Sequence, residues 1–415
     1  MPKPSLTLAA NALARRLDQL ARVSDEDGAT TRTFMSPAMR RANALVGAWM
    51  RKAGLSVRVD PTGNLVGRTR ARRGARTLLL GSHLDTVKDA GRFDGALGVL
   101  LPIGALEVLR SRGLALPFAV EVLGFSEEEG VRFSSGYLGS KGYVGRLGKA
   151  ELRLRDSDGI SVEEVLAGKR GVRFPAPRPT HSRSELIGYL EVHIEQGPVL
   201  ESRGLAAGVV SGIAGQTRAG MAFGGSAGHA GTTPMALRRD ALAGAAEFIL
   251  AVEAFARARR PLVATVGRIS AKPGAANVIA GTAELTLDVR HPVDARRRAA
   301  CAGLRRAARR IARKRGLSLS MEVTQDNGAV GCSRELTGLL ARSVRACEGR
   351  CLALASGAGH DAVVVSSIAP VAMLFVRCRK GLSHHPDEFV ARGDLAAALR
   401  IVIDFLGRLA SRPPP

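Results

Sequence analysis

Aromatic side chains are scarce at 4% of 415 residues, and beside twelve Phe there are only three Tyr and one Trp. A nucleic-acid surface that stacks bases needs such rings, so the formal charge of +24, from 61 Lys and Arg against 37 Asp and Glu, lacks the platforms that would accompany it. The excess is nearly all arginine and is spread along the chain, in Arg15-Arg16, Arg70 to Arg76, Arg238-Arg239, Arg296 to Arg298 and Arg305 to Arg315. No nucleic-acid motif goes with it, and it reads as solvated surface able to attract anionic substrates. Cysteine is sparse and odd in number: Cys301, Cys332, Cys347, Cys351 and Cys378. The CxxxC at Cys347 and Cys351 is explained by helical spacing, so the five read as reduced thiols in a cytoplasmic protein. No apolar run approaches the ~20 residues of a membrane span. The N-terminal stretch MPKPSLTLAANALARRLDQLARV lacks the apolar core and cleavage site of a secretion signal. The expectation is a soluble cytoplasmic protein with neither nucleic acid nor membrane as partner.

What is present is ample core, with 46% hydrophobic residues and length for two or three domains. Apolar periodicity predicts amphipathic helices over Ser5 to Val23 and Pro37 to Gly54, the second capped by Ser36 and Gly54. Short strands Leu55 to Asp60 and Asn64 to Arg68 flank a turn. A buried strand then runs into His83, a helix covers Leu97 to Leu109, and a strand covers Phe118 to Phe125. This alternation predicts an α/β fold with a parallel or mixed sheet and covering helices. Gly148 to Ser184, with Pro175, Pro177 and Pro179, reads as an irregular excursion before a strand from Leu186 to His193. Within 212–326 the order is strand, helix, strand, strand, helix, strand. The strands are Arg218 to Phe223, Val263 to Ser270, Ala283 to Val289 and Ser318 to Val323, and the helices are Pro234 to Arg257 and Val293 to Arg315. That order describes a ferredoxin-like α+β domain, a lid or a dimerisation element, inserted between two parts of a catalytic domain, 1–211 and 327–415. The second part holds a helix Ser333 to Ala346, a strand Val371 to Val376 and a final helix Gly393 to Leu409.

The candidate chemistry clusters at strand ends, where open α/β sheets place their sites. In GSHLDTVKDAGRFDG, Gly81 to Gly95, His83 ends a strand and Asp85 is placed to accept its second ring N–H. Asp94, in the loop before the next helix, is a carboxylate able to bridge two metal ions. The strand ending at Phe125 leads into Ser126-Glu127-Glu128-Glu129-Gly130. Taken alone that is a solvated charge run, but a two-metal hydrolase needs one such acid on metal and one moving a proton, and Glu128 and Glu129 can divide that work. His193 closes another apolar alternation, and the pair His384-His385 follows a further strand. In the inserted segment His229, within GGSAGHAG, is a candidate donor to a developing oxyanion. Asn277 and Arg290 are candidate substrate contacts, the latter because a guanidinium matches a carboxylate in bidentate fashion.

Taken together, GSHLDTV, GRFDGALG, FSEEEGVRF with YLGSKGYVG, HIEQGPVLE, GHAGTTPM, NVIAGTAELTLDVRH, SGAGHDA and GLSHHPDE resemble the metal-dependent amidohydrolase family of N-carbamoyl-L-amino acid hydrolases, ureidopropionases and allantoate amidohydrolases, relatives of the dinuclear-zinc aminopeptidases. The resemblance runs from about Arg32 to the final helix. It implies a zinc-peptidase-like catalytic domain and two divalent ions, Zn, Mn, Co or Ni. It places His83, Asp94 and His193 on one metal and Asp94, Glu129 and His384 on the other, and makes Glu128 the catalytic base. It adds Gln216 to His229, Asn277 and Arg290 as substrate contacts, some reaching across a homodimer, and it implies a cis peptide at Asp94-Gly95. Ala280 and Glu127 stand where the family commonly has proline and aspartate. The function implied is cleavage of the ureido C–N bond of small N-carbamoyl or ureido carboxylic acids, releasing ammonia and carbon dioxide. VRFSSGYLGS and VRCRKGLSH favour ureidopropionate or allantoate. The alternatives are a dipeptidase or aminopeptidase of the same fold, and a basic nucleic-acid-binding protein with a vestigial pocket.

Overall fold

The structure, a computed structural model, describes residues 6–168 and 179–411. It divides into two compact units, one of residues 1–211, 331–354 and 359–415, the other of residues 212–330 with 355–358.

In the first unit, helices α1 (Leu6–Ala21) and α2 (Pro37–Lys52) precede strands β1 (Ser56–Val59) and β2 (Leu65–Arg68). Ser36 caps α2 by accepting from the Met39 N–H, as predicted, while Ala53 is the C-terminal cap and Gly54 follows it at φ 92°. Strand β3 (Thr77–His83) is buried along its whole length because it lies between two parallel neighbours. That explains a continuous apolar run in place of an alternating one. The sheet order is β1, β2, β4 (Ala119–Phe125), β3, β5 (Leu186–Ile194), the strand Val371–Val376 and then β6 (Ala207–Ile213). Strands β4, β3, β5 and Val371–Val376 run parallel, and the flanking pairs are antiparallel, so the sheet is mixed. Helix α3 (Ala96–Ser111) is buried on nearly every side and packs with α1 and the last helix, Arg392–Ala410, into one core. A Cβ on Gly98 would come within 2.2 Å of the Val192 carbonyl oxygen. Only glycine lets the first turn of α3 lie this close to β5, and that approach brings the preceding Asp94 over the strand ends. Part of the excursion after Gly148 forms two short helices, Lys149–Leu152 and Val162–Ala167. Its Pro175 and Pro177 lie outside the described residues.

In the second unit, β7 (Gly215–Gly224) pairs antiparallel with Thr282–His291 and Ser318–Asn327. The stretch read as one strand, Val263 to Ser270, is two short ones, Val263–Thr265 and Ile269–Lys272, both paired with Thr282–His291. One sheet face, with Met221, Phe223, Leu285 and Leu287, packs against helices Ala241–Arg257 and Asp294–Lys314. The first of these helices begins at Ala241 and not at Pro234. Asp240 accepts from the Leu242 and Ala243 N–H groups and starts it there, and Met235–Leu237 form a single 3₁₀ turn.

Candidate metal centre

The carboxyl ends of β3, β4 and β5 deliver His83, the Glu127 to Glu129 run and His193 to one edge of the sheet. His83 lies opposite Phe125, and His193 opposite Phe375 on the strand that leads towards His384. The loop before α3 sets Asp94 among them. One carboxylate oxygen of Asp94, Oδ1, is 3.0 Å from His193 Nε2 and 3.7 Å from His83 Nε2. The other, Oδ2, is 3.1 Å from His384 Nε2, which is itself 3.4 Å from Glu129 Oε1. The ligand atoms of His83, Asp94 and His193 therefore lie within 4.8 Å of one another, as do those of Asp94, Glu129 and His384, and of His83, Glu128 and Glu129.

The ring orientations test whether this donor set suits a cation. His83 Nδ1 faces the Asp85 carbonyl at 3.0 Å and His193 Nδ1 faces the Ile194 carbonyl at 2.9 Å. A carbonyl accepts only, so Nδ1 carries the proton in each ring and a neutral ring turns its Nε2 lone pair towards Asp94. Two lone pairs 3.0 Å apart repel, and Asp94 Oδ1, buried, has no hydrogen-bond donor among the described residues. A proton or a metal ion must lie between. With protons alone, burial opposes a charged ring at His83, yet Asp85, Glu128 and Asp94 outweigh it and raise its pKa well above the usual value. At His384 the hydrogen bond to Asp94 raises the pKa to about 9. Burial, then Asp94, pushes Glu129 up to about 7, and burial pushes Glu128 well above the carboxylate range. Rings that gather protons between converging carboxylates are sites where a divalent cation can displace them, so the chemistry of these donors fits a divalent-cation site.

Asp85 departs from its expected contact. Its carboxylate lies 3.6 Å from His83 Nδ1, beyond hydrogen-bond distance, because its oxygens accept from the Glu128 N–H at 3.0 Å and the Glu129 N–H at 3.1 Å. It anchors the acidic loop, and the Asp85 carbonyl orients the ring. The implied cis peptide at Asp94-Gly95 is absent as well. The cis bonds among the described residues are Arg260-Pro261 and Lys272-Pro273, and the chain turns into α3 through Gly95 at φ 63°. A Cβ there would meet the His83 ring at 2.4 Å.

Sequence reasoning passed over the groups that hold Asp94. Ser383 Oγ lies 2.8 Å from Asp94 Oδ2, Gln196 Nε2 lies 3.2 Å from the same oxygen, and Glu388 Oε1 accepts from the Phe93 and Asp94 N–H groups. All three sit inside motifs already quoted, beside the candidate ligands. The left-handed backbone of Gln196 and His384 marks the turns that aim them, and that is a tertiary signal. His360, also unassigned, packs its ring edge on His193 at 4.5 Å between centroids. Burial, then His193, holds its pKa well below the usual value and keeps it neutral.

The remaining expected contacts belong to the second unit. His229 is exposed, and its Nδ1 accepts from the Gly231 N–H at 3.0 Å. Asn277 is exposed and precedes Val278, the strand partner of His229, and its carbonyl accepts from the Ala230 N–H at 2.8 Å. Gln216 and Arg290 are cross-strand partners, and both reach Asp288.

The chain is similar to known proteins over most of its length. Residues 79–408 match the family described as Peptidase family M20/M25/M40. An allantoate deiminase of Arabidopsis thaliana is 41% identical over 94% of this chain and 81% of its own length. An N-carbamoyl-L-amino-acid amidohydrolase of Pseudomonas sp. (strain NS671) is 36% identical over 96% of this chain and 98% of its own. A crystal structure of an amidase of the hydantoinase/carbamoylase family from Burkholderia multivorans superposes with a TM-score of 0.91 at 31% identity, covering 98% of each chain. The chain belongs to peptidase family M20/M25/M40, among its hydantoinase/carbamoylase-type amidases.

Proposed function

We propose that the protein is a metal-dependent amidohydrolase that cleaves the ureido C–N bond of small N-carbamoyl or ureido carboxylic acids. The single observation that carries this reading is Asp94 offering one oxygen to His83 and His193 and the other to His384 beside Glu129. It is supported by relatives, named allantoate deiminases and N-carbamoyl-L-amino-acid amidohydrolases, that align with nearly the whole chain.

On this reading His83, Asp94 and His193 hold one divalent ion and Asp94, Glu129 and His384 a second, with Zn, Mn, Co and Ni the candidates. When bound, such ions would polarise a carbonyl and lower the pKa of a water at the site towards neutrality. Glu128, whose pKa burial raises well above the carboxylate range, takes a proton from the attacking water and returns it to the leaving nitrogen. The water oxygen adds to the ureido carbon, the C–N bond breaks, and the carbamoyl group leaves as ammonia and carbon dioxide. The Asp85 carboxylate fixes the backbone of Glu128 and Glu129, so base and ligand keep separate places. His229 we assign to the carbonyl oxygen, and Gln216, Asn277 and Arg290 to the substrate carboxylate, on the motifs that contain them. The second unit we read as a ferredoxin-like lid that also joins a homodimer in a cytoplasmic enzyme. The test is ammonia release from allantoate, 3-ureidopropionate and N-carbamoyl-L-amino acids after metal-stripped protein is reloaded with each ion. Release from dipeptides alone would favour a peptidase.

A further inference from the structure

The polar face of the second unit's sheet carries a cluster that the assigned substrate contacts do not explain. Along β7 and Thr282–His291 burial alternates, so Gln216 and Arg218, and Asp288 and Arg290, stand on the face away from the helices. The register sets Arg290 opposite Gln216 and Asp288 opposite Arg218. Asp288 is the hub. Its Oδ1 accepts from Arg290 Nε at 2.9 Å, and its Oδ2 accepts from Arg290 Nη2 at 3.0 Å, Gln216 Nε2 at 2.7 Å and Arg218 Nε at 3.0 Å. Arg290 Nη1 donates to the Gly357 carbonyl at 2.6 Å.

We propose that Asp288 is a positioning residue that holds Arg290 and Gln216 ready for the substrate carboxylate and leaves the guanidinium only its end-on edge for that carboxylate. The inference rests on the assignment of Arg290 to the substrate. A guanidinium has five N–H donors. Asp288 takes the Nε and Nη2 side and Gly357 takes one Nη1 proton, so one proton each on Nη1 and Nη2 remains for a ligand. That pair matches the two oxygens of one carboxylate. Charge agrees, because Asp288 cancels one of the two arginines it contacts, so this cluster keeps a positive charge for a carboxylate. The side chain of Arg290, which has several rotatable bonds, is held before any ligand arrives, so less order is lost on binding. Burial would raise the Asp288 pKa, but the Arg290, Arg218 and Gln216 hydrogen bonds overcome it, and the carboxylate stays ionised as the hub requires.

The test is steady-state kinetics on the ureido acid that the metal-loaded wild type cleaves best, beside the primary amide of that acid. Asp288→Ala is expected to raise KM for the acid by ~10-fold or more with kcat nearly unchanged, as loss of uniform binding does. KM for the amide should not move. Asp288→Asn, which keeps one acceptor, should recover part of the loss, and Asp288→Ala combined with Arg290→Ala should cost no more than Arg290→Ala alone. A wild type inactive on every ureido acid would remove the functional reading itself. An Arg290→Ala variant with normal KM would remove the assignment on which the inference rests. Normal KM in Asp288→Ala alone, or equal losses on acid and amide, would overturn the positioning role of Asp288, whether or not the variant melts earlier.

Discussion

The Glu388 carboxylate accepts the backbone N–H of Asp94 at 3.0 Å and that of Phe93 at 2.8 Å. Its second oxygen lies 3.1 Å from the Ser383 hydroxyl, which is 2.8 Å from Asp94 Oδ2. The acid that faces both halves of the candidate metal centre is thus gripped at its main chain and at its side chain by residues flanking His384. Groups of this kind orient a ligand and do not bind the ion. Glu388→Ala is expected to weaken metal affinity by ~10–100-fold. Competition with a chromophoric chelator measures it, and unchanged affinity would show that Asp94 needs no such support.

Asp94→Asn should be more severe, because Asp94 faces His83 and His193 with one oxygen and His384 with the other. Chelator treatment of the wild type is expected to abolish turnover and lower the melting temperature. Restoring metal to ~100-fold above its dissociation constant should return about 2.7 kcal/mol of stability. In Asp94→Asn the same addition should return little of it. Calorimetry with and without metal reads the difference.

Glu128→Gln keeps the size of the side chain and removes its ability to carry a proton. It should retain metal stoichiometry by elemental analysis and lose turnover by ~10²–10⁴-fold. A variant of normal activity would take the proton-transfer role from Glu128.

Gly98→Ala tests the packing that sets the centre. Its Cβ would meet the Val192 carbonyl at 2.2 Å, so α3 must shift. The expected cost is about 1–3 kcal/mol in denaturant unfolding, with weaker metal binding because Asp94 precedes the displaced helix.

Away from the centre, Glu121 lies buried between Arg68, Tyr143 and His181. Burial would raise its pKa, but hydrogen bonds from His181, Tyr143 and Arg68 overcome that and bring it from 4.5 to about 2. A folded pKa below the unfolded one gives stability that is present above pH 4.5 and lost as pH falls towards 2. Glu121→Gln should be less stable than the wild type at neutral pH, and the gap should close over that acid window in a series of melting curves.

How far the sequence reached can be judged residue by residue. Strand ends at His83 and His193, the cap at Ser36 and the acidic run after Phe125 were legible, since each depends on neighbours in the chain and on one burial period. The start of the helix at Ala241 was missed because the Asp240 cap outweighed the apolar residues before it. The contact of Asp85 was misread because its competing donors, the Glu128 and Glu129 N–H groups, come from the loop after another strand.

The sequence by itself determined the order of the elements, the alternation that puts Asp288 and Arg290 on one face, and the chemical identity of every candidate ligand. Only the tertiary structure decided which atom faces which. The two oxygens of Asp94 are equivalent in any sequence and become distinct once β3, β5 and the loop before His384 surround them. Arg290 and Asp288 are neighbours on one strand in any case, but only the fold brings the Gly357 carbonyl, from a distant segment, to a third donor of the guanidinium. Spacing along a chain encodes faces and ends, because these follow from local backbone geometry. Convergence of groups from distant segments is set by packing and hydrogen bonds that no local pattern records.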